Sequence, residues 1–468
     1  METINALRTI VGETGALSAT DIAKRSAGFL RPDTLKARAL VRPKNTEEVS
    51  KVVRWCHDNE IPIVTQGGLT GLVHGADASP DEVILSTERM RAIEAIDPVQ
   101  RIAVVQAGVT LQGLQDAAEQ RDLSFPLDLG ARGSATLGGN AATNAGGNRV
   151  IRFGMMREMV LGLEVVLADG TILSSMNRLI KNNAGYDLRQ IFIGSEGTLG
   201  IITRLVLRLR EKPKSQDVAI VAVPSFEALA KLLKHMDSSL GGSLSAFEVM
   251  WQSFYRLVTS PPAKGRAPVG QDYPYYALIE SLGADARLDS ERFVAALESA
   301  LEAKLISDAA VAKSDNDRRS FWALRDDVMQ VVVGGMPVIF DISLPLGAME
   351  HYVAALGEDL KAKIGEHKLW IFGHLGDGNL HVIVQVQPQN YQALRPKIEA
   401  VVYGPLGSLG GSISAEHGIG LEKKPYLSVC RSESEIALMR TLKTALDPHG
   451  ILNPGKIINS AGGTSAAR

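Results

Sequence analysis

The chain has 468 residues, room for two to four domains at roughly 100–200 residues each. Lys+Arg 50 against Asp+Glu 52 gives a net charge of −2, which excludes a nucleic-acid binder that works through bulk positive charge. Two cysteines, Cys56 and Cys430, exclude a disulfide-stapled scaffold and a cysteine-only metal or cluster site.

The opening METINALRTIVGETGAL lacks the basic-then-apolar layout of a signal peptide. No apolar run approaches the roughly 18 residues that a membrane span needs. The nearest, Val328 to Phe340, is broken by Gln330, two glycines and Pro337. A cytoplasmic protein without a membrane anchor is expected. Thr46 to Asn59 carries Val49, Val52, Val53 and Cys56 at helical spacing. Ile61 to Thr65, Arg101 to Val109 and Val160 to Ala168 read as strands, the last ending in a turn at Asp169-Gly170. Glu211 to Ser215 is charged, holds a proline, and reads as a linker. Beyond it come a strand at Asp217 to Val223, a helix at Phe226 to Met236, a strand at Tyr275 to Ser281 and a helix at Ser290 to Lys304. That order predicts an α+β second domain, an antiparallel sheet with helices on one face. A helix from Glu433 to Leu446 and a loose tail from Ser460 to Arg468 complete the chain.

Three glycine clusters stand out. Gly67-Gly68-Leu69-Thr70-Gly71-Leu72 follows a strand and suits either a tight turn or a nest of N–H groups for phosphate oxygens. Ser134 to Asn148, SATLGGNAATNAGGN, holds nothing bulkier than Leu137 and no charge. Small side chains with three asparagines suit a backbone pressed against a large polar ligand. Ile193 to Ile202, IGSEGTLGII, is the third. No G-x-G-x-x-G follows a strand and no G-x-x-x-x-G-K-[ST] occurs, so neither a Rossmann site nor a P-loop is supported.

Trp370 to Gln385, WIFGHLGDGNLHVIVQ, reads as two strands joined by a turn at Gly376-Asp377-Gly378-Asn379. His374 and His381 are seven apart, so one continuous strand would put them on opposite faces. Folding through the turn brings them together as ligands for a divalent metal. Glu416-His417 offers a third ligand. Neighbouring side chains diverge, so Glu416 is assigned to the metal and His417 to general-base duty. Zinc fits this mixed N/O set best, with manganese, iron and cobalt as alternatives.

Eight motifs now occur in order. They are Pro126-Leu127-Asp128-Leu129-Gly130, Leu137-Gly138-Gly139-Asn140, Thr143-Asn144-Ala145-Gly146-Gly147, Gly185-Tyr186-Asp187-Leu188, Gly194 to Gly200, His374 to His381, Glu416 to Gly420, and Asn453-Pro454-Gly455-Lys456. The chain resembles the FAD-linked D-2-hydroxyacid dehydrogenases, the D-lactate and D-2-hydroxyglutarate enzymes of the vanillyl-alcohol oxidase/p-cresol methylhydroxylase fold. The resemblance implies an α+β protein with a two-subdomain FAD-binding domain at 1–213. A substrate and metal domain at 214–415 and a C-terminal segment at 416–468 returning to the flavin follow. It implies that Gly67, Gly68, Leu69, Thr70, Gly71 and Leu72 cradle the FAD pyrophosphate. Pro126, Gly138, Gly139, Thr143, Asn144, Glu196, Gly197, Gly200, Ile202 and Asn453 would line the cofactor. His374, His381 and Glu416 would bind the metal, and His417 would be the base. Arg325, in FWALR, matches the arginine that pairs with the substrate carboxylate, a task its planar fork suits. FAD is expected without a covalent bond, with His74 as an ordinary polar loop residue. The electron acceptor is open among a quinone, an electron-transfer flavoprotein and a cytochrome, with an oxidase as a further alternative, and a homodimer is among the open assembly states.

One departure bears on substrate. Where the 2-hydroxyglutarate enzymes carry Thr, Lys and Asn, this chain has Met329, Ile339 and Ile383. A second carboxylate beside them is costly. D-lactate, or another short apolar D-2-hydroxy acid, is therefore expected to serve at least as well as 2-hydroxyglutarate. Competing functions are a zinc hydrolase built on the His/His/Glu set, which leaves the glycine clusters idle, and a non-catalytic flavin-binding protein.

Overall fold

The computed structural model describes residues 2–28 and 31–459; the tail expected from Ser460 lies outside them. The chain divides into two units. The first holds the residues up to Gly146, Gly154–Lys212, and those from Glu416 on; the second holds Gly147–Phe153 and Pro213–Ala415.

In the first unit, strands β1 (Ala16–Ser18), β2 (Ala39–Val41), β3 (Ile63–Gln66) and β4 (Val83–Ser86) form a sheet ordered β1-β2-β4-β3. β1 pairs antiparallel with β2, and the β2–β4 and β4–β3 pairings are parallel. Helix α1 (Thr46–Asp58) precedes β3. Asn45 caps it by accepting from Glu48 N–H, and Glu47 and Glu48 favour the positive end of the helix dipole. Its stripe of Val49, Val52, Val53 and Cys56 is fully buried against Val41, Ile63, Val83 and Leu85. Each such side chain stabilises the unit by roughly 1.5–3 kcal/mol relative to exposure. A second sheet is built from β5 (Ile93–Asp97), β6 (Ile102–Gln106), β8 (Val160–Val166), β9 (Ile172–Ser175) and β10 (Ile201–Arg208), all antiparallel in the order β5-β6-β10-β8-β9. The short strands β7 (Leu123–Ser124) and β11 (Arg210–Glu211) pair separately. Helix α2 (Leu137–Ala142) carries the second glycine cluster.

The second unit is one seven-stranded sheet with every pairing antiparallel. Its longer elements from Ser215 to Val386, in chain order, are β12 (Ser215–Val223), α3 (Phe226–Leu240), β13 (Leu244–Trp251), α4 (Gln252–Thr259), β14 (Tyr275–Gly283), α5 (Ala286–Glu302), β15 (Asp308–Val311), α6 (Asp315–Asp326), β16 (Met336–Ser343), α7 (Leu346–Ile364), β17 (Lys368–His374) and β18 (Asn379–Val386), and a further helix spans Tyr391–Tyr403. The strand order is β15-β12-β14-β13-β17-β18-β16.

The antiparallel sheet and the α+β class agree with expectation, but helices cover both of its faces rather than one. Val218, Ile220 and Ala222 of β12 pack with Phe254, Tyr255 and Val258 of α4 and Leu324 of α6. The alternate residues Ala219, Val221 and Val223 are equally buried. Helices α3 and α5 contact β12 but lie outside the first cluster, so they cover the other face. The unbroken apolar run of β12 is the signature of two-sided burial.

Gly147–Phe153 is tied into this unit by two arginines. Arg149 grips the fully buried carboxylate of Glu280 through Nε (2.8 Å) and Nη2 (3.1 Å). Arg152 donates to the carbonyls of Ser243 (3.2 Å) and Leu282 (2.5 Å).

The last segment builds onto the first unit. Ile63 N–H donates to Ile451 O at 2.7 Å and Asn453 N–H to Ile63 O at 2.8 Å, extending the β3 edge by one bridge. Helix α8 (Glu433–Leu446) begins with a Ser432/Glu435 capping box. From its last turn, buried Lys443 donates to Thr198 O (2.8 Å), Leu452 O (2.7 Å) and Asp447 Oδ2 (2.5 Å). Its charge is thereby paired and its donors are used inside the unit.

Candidate flavin and metal sites

In the first unit the separate glycine clusters are packed onto one another. A Cβ on Gly68 would lie 1.9 Å from Ser134 O, and one on Gly67 would lie 2.4 Å from Thr136 Oγ1. The first loop therefore rests directly on the backbone leading into α2. Gly138 N–H donates to Ala107 O at 2.8 Å, and a Cβ there would meet Ala107 at 2.5 Å. The third cluster docks on the end of α2: Gly194 N–H donates to Ala141 O (3.0 Å) and Glu196 N–H to Ala142 O (2.8 Å). Gly200 is pressed on Val165, and neighbouring Ile202 is buried in β10. Asn453 then joins two loops, accepting from Thr65 N–H at 2.8 Å and donating to Glu196 O at 2.6 Å. Gly197 packs on its amide.

Glu196 was expected to line the cofactor. Its carboxylate is spent on the chain itself, accepting from Ile419 N–H at 2.6 Å and Gly420 N–H at 2.8 Å. Burial pushes its pKa up, and the two N–H donors and Lys423 offset that only in part. It thus fixes the turn that follows His417. Leu69, Asn144, Glu196 and Asn453 all adopt positive φ, between 41° and 55°. Four non-glycine residues in the left-handed region, all within these loops, mark a backbone held to shape by its surroundings. Thr143 Oγ1 donates within its own helix end to Gly139 O. Pro126 is buried in the stretch where Gln115 binds the carbonyls of Phe125 and Leu127. Thr70 is half-buried and Leu72 lies at the exposed end of the first loop.

These residues fit a dinucleotide. Asn140 Nδ2 and Ser195 Oγ are buried without a protein hydrogen-bond partner. Gly71 has no protein atom within 4 Å of where a Cβ would stand. Buried polar atoms at such a junction need a ligand or water to satisfy them. His74 sits beyond the first loop with Nδ1 3.0 Å from Asp77 Oδ2 and Nε2 3.3 Å from Glu422 Oε2.

In the second unit, strand register assembles the other cluster. Glu248 of β13 is paired with His374 of β17, which is paired with Asn379 of β18. One step along the same face, Phe372 is paired with His381, and His381 with Asp341 of β16. The histidines are thus diagonal neighbours across the hairpin rather than directly opposed. Their Nε2 atoms are 3.4 Å apart and both rings are buried. Two nitrogens each about 2.0–2.1 Å from a tetrahedral zinc lie about 3.4 Å apart, so the pair fits a shared cation.

Glu248 is fully buried and bonds two groups: His374 Nδ1 at 2.7 Å through Oε1, and Arg325 Nε at 2.7 Å through Oε2. Burial alone would raise its pKa, but His374 and Arg325 outweigh burial and leave it lowered. Arg325 Nη2 lies 3.2 Å from His374 Nε2, and its guanidinium stacks 5.0 Å from the Phe372 ring. Arg325 is therefore a buried, anchored cation and not a solvated helix arginine.

Asp341 is also fully buried. Its Oδ1 accepts from Asn379 Nδ2 at 2.9 Å and its Oδ2 from Ala415 N–H at 3.1 Å. Ala415 is the last residue of this unit, and half-buried Glu416 and His417 follow it directly. Sequence reasoning singled out neither Glu248 nor Asp341. Each was visible as a lone carboxylate in an apolar strand, SAFEVM and VIFDIS, a position tolerated only where a partner awaits it.

Residues 37–175 match the FAD binding domain family, and residues 212–457 match the family of FAD linked oxidases, C-terminal domain. The mitochondrial D-2-hydroxyglutarate dehydrogenase of Bos taurus is 40% identical over 433 residues, spanning 92% of this chain and 78% of that one. This chain belongs to the FAD-linked D-2-hydroxyacid dehydrogenase family. A D-2-hydroxyglutarate dehydrogenase of Xanthomonas citri pv. viticola is 39% identical over 426 residues, 90% of this chain and 89% of that one. The family fold extends to p-cresol methylhydroxylase with substrate bound, at TM-score 0.79 and 16% identity over 99% of this chain and 98% of that one. The vanillyl-alcohol oxidase type of architecture is the one expected. The bovine relative is named mitochondrial, which does not support the cytoplasmic expectation. Among the described residues no helix is long and apolar enough to cross a membrane.

Proposed function

We propose that this chain oxidises a D-2-hydroxy acid to the 2-oxo acid, with FAD as hydride acceptor and a divalent cation, zinc by preference, as Lewis acid. The observation that carries it is the 3.4 Å convergence of His374 and His381 Nε2, in a family that binds FAD. Gly67 to Leu72, Pro126, the 138–144 segment, the 196–202 segment and Asn453 hold FAD without a covalent bond, and His74 serves as a loop residue. His374, His381 and Glu416 hold the cation. When bound, the flavin accepts hydride at N5 and the cation lowers the pKa of the substrate hydroxyl.

The protein's own part is positional. Arg325 holds the substrate carboxylate, its Nε end anchored by Glu248. His417 takes the hydroxyl proton as hydride leaves Cα, and the Glu196 carboxylate keeps the turn behind it in place. A quinone, an electron-transfer flavoprotein or a cytochrome reoxidises the flavin.

The side chain of the acid meets an apolar wall. Next to the His381–Asp341 pair on the same sheet face come Trp370, Ile383 and Ile339, paired in register. A carboxylate placed against them would lose its hydration without a replacement. D-lactate or a similar monoacid is therefore a substrate at least as good as 2-hydroxyglutarate, although the relatives above are named for the diacid. Anaerobic addition of D-2-hydroxy acids to the purified flavoprotein should bleach absorption near ~450 nm. A spectrum unmoved by every D-2-hydroxy acid tried would sink the proposal.

A further inference from the structure

Beyond anchoring Arg325, Glu248 also bonds His374, so one carboxylate joins the two groups. It sits mid-strand in β13 with no exposure, opposite His374 in register. We infer that Glu248 is a positioning residue that sets two groups at once. It selects the His374 tautomer that is unprotonated at Nε2, and it anchors the guanidinium of Arg325. This rests on the metal reading proposed above.

The argument is one of donors and acceptors. An ionised carboxylate only accepts, so His374 must carry its proton on Nδ1. Nε2 is then the unprotonated nitrogen, the one directed at His381 Nε2 and at the Arg325 guanidinium. A carboxylate behind a metal-binding histidine fixes ring orientation and raises ligand basicity in this way. The second oxygen takes Arg325 Nε–H, and an arginine cannot lose that proton.

Glu248→Gln tests this because an amide has one acceptor and one donor. Arg325 Nε–H claims the amide oxygen. The amide NH2 then faces His374 Nδ1, which must become the acceptor, and the proton moves to Nε2. The coordinating lone pair is lost although the volume of the side chain is unchanged.

Glu280→Gln is the control. Glu280 is as buried, lies on the same sheet face, and bonds Arg149, Gln216, Ser245 and Trp322, with no histidine among them. Zinc affinity by chelator competition should fall by roughly 10–100-fold in Glu248→Gln, with FAD content unchanged. It should stay within about twofold of native in Glu280→Gln. Native zinc affinity in a folded Glu248→Gln protein would overturn the inference. A folded His381→Ala protein with native zinc content would instead refute the metal reading. The tautomer remains open to test in that case, and also if Glu248→Gln does not fold. Protein labelled with 15N-histidine should show His374 protonated on Nδ1, assigned by its loss in His374→Gln; a proton on Nε2 would overturn the role given to Glu248.

Discussion

His374 and His381 bring their Nε2 atoms to 3.4 Å although the chain runs through a 3-10 turn between them. The register places His374 against Asn379 and His381 against Phe372, so the pair meets on a diagonal of one sheet face. Gly378, at φ 84°, closes the turn in a conformation that few other residues adopt without strain.

Replacing either histidine by alanine should remove the cation and leave FAD in place, because the glycine loops belong to the other unit. Metal analysis and the visible spectrum, taken on one sample, check both halves. Chelation of the native enzyme should likewise abolish turnover while the yellow colour persists; full activity after verified metal removal contradicts a catalytic cation.

His417→Ala should retain FAD but slow flavin reduction by substrate by roughly 10²–10⁴-fold, the usual contribution of a positioned base. Single-turnover stopped flow reads this step alone. Reduction at the native rate would remove His417 from the proposed chemistry.

Gly68→Ala and Gly71→Ala should differ. The first puts a methyl 1.9 Å from the Ser134 carbonyl, which is backbone and cannot swing aside. Soluble yield or melting temperature should drop. The second meets no protein atom within 4 Å, so the apoprotein should melt as the native one does. If the pyrophosphate rests on this loop, the same methyl weakens FAD retention, measured by fluorescence of the released flavin.

Arg149→Ala should destabilise the protein by roughly 3–5 kcal/mol at neutral pH, since it strands the buried Glu280 carboxylate. In the native protein burial raises the Glu280 pKa, but Arg149, Ser245 and Gln216 outweigh it, so the folded value is lowered. A lowered folded value contributes stability above the unfolded pKa of about 4.3, and that contribution is lost as pH falls through the folded value. The difference in melting temperature between native and variant should therefore hold from pH ~7 to pH ~5 and shrink as the pH falls below about 4.3. A gap independent of pH would rule out the charge pair as its source.

Comparing kcat/KM for D-lactate and D-2-hydroxyglutarate tests the apolar wall of Trp370, Ile383 and Ile339. Equal or better use of the monoacid is expected. A preference for the diacid of tenfold or more, about 1.4 kcal/mol, would mean that a cation from elsewhere reaches the second carboxylate.

Much was legible in the sequence because it is local. Helical spacing in Thr46–Asp58, the small-residue run of the α2 region and the paired strands around the 376–379 turn each depend on near neighbours, which fix backbone geometry by sterics and by the side of an element that turns apolar. The two-sided burial of β12 is written in its unbroken apolar run, but which helices cover each face is not. Only tertiary structure decided what Glu196, Glu248 and Asp341 do. A buried carboxylate announces that it needs partners, but not which ones. Residues 419 and 420 for Glu196, 325 and 374 for Glu248, and 379 and 415 for Asp341 are far apart in the chain, and only strand register and loop packing bring them within hydrogen-bond reach.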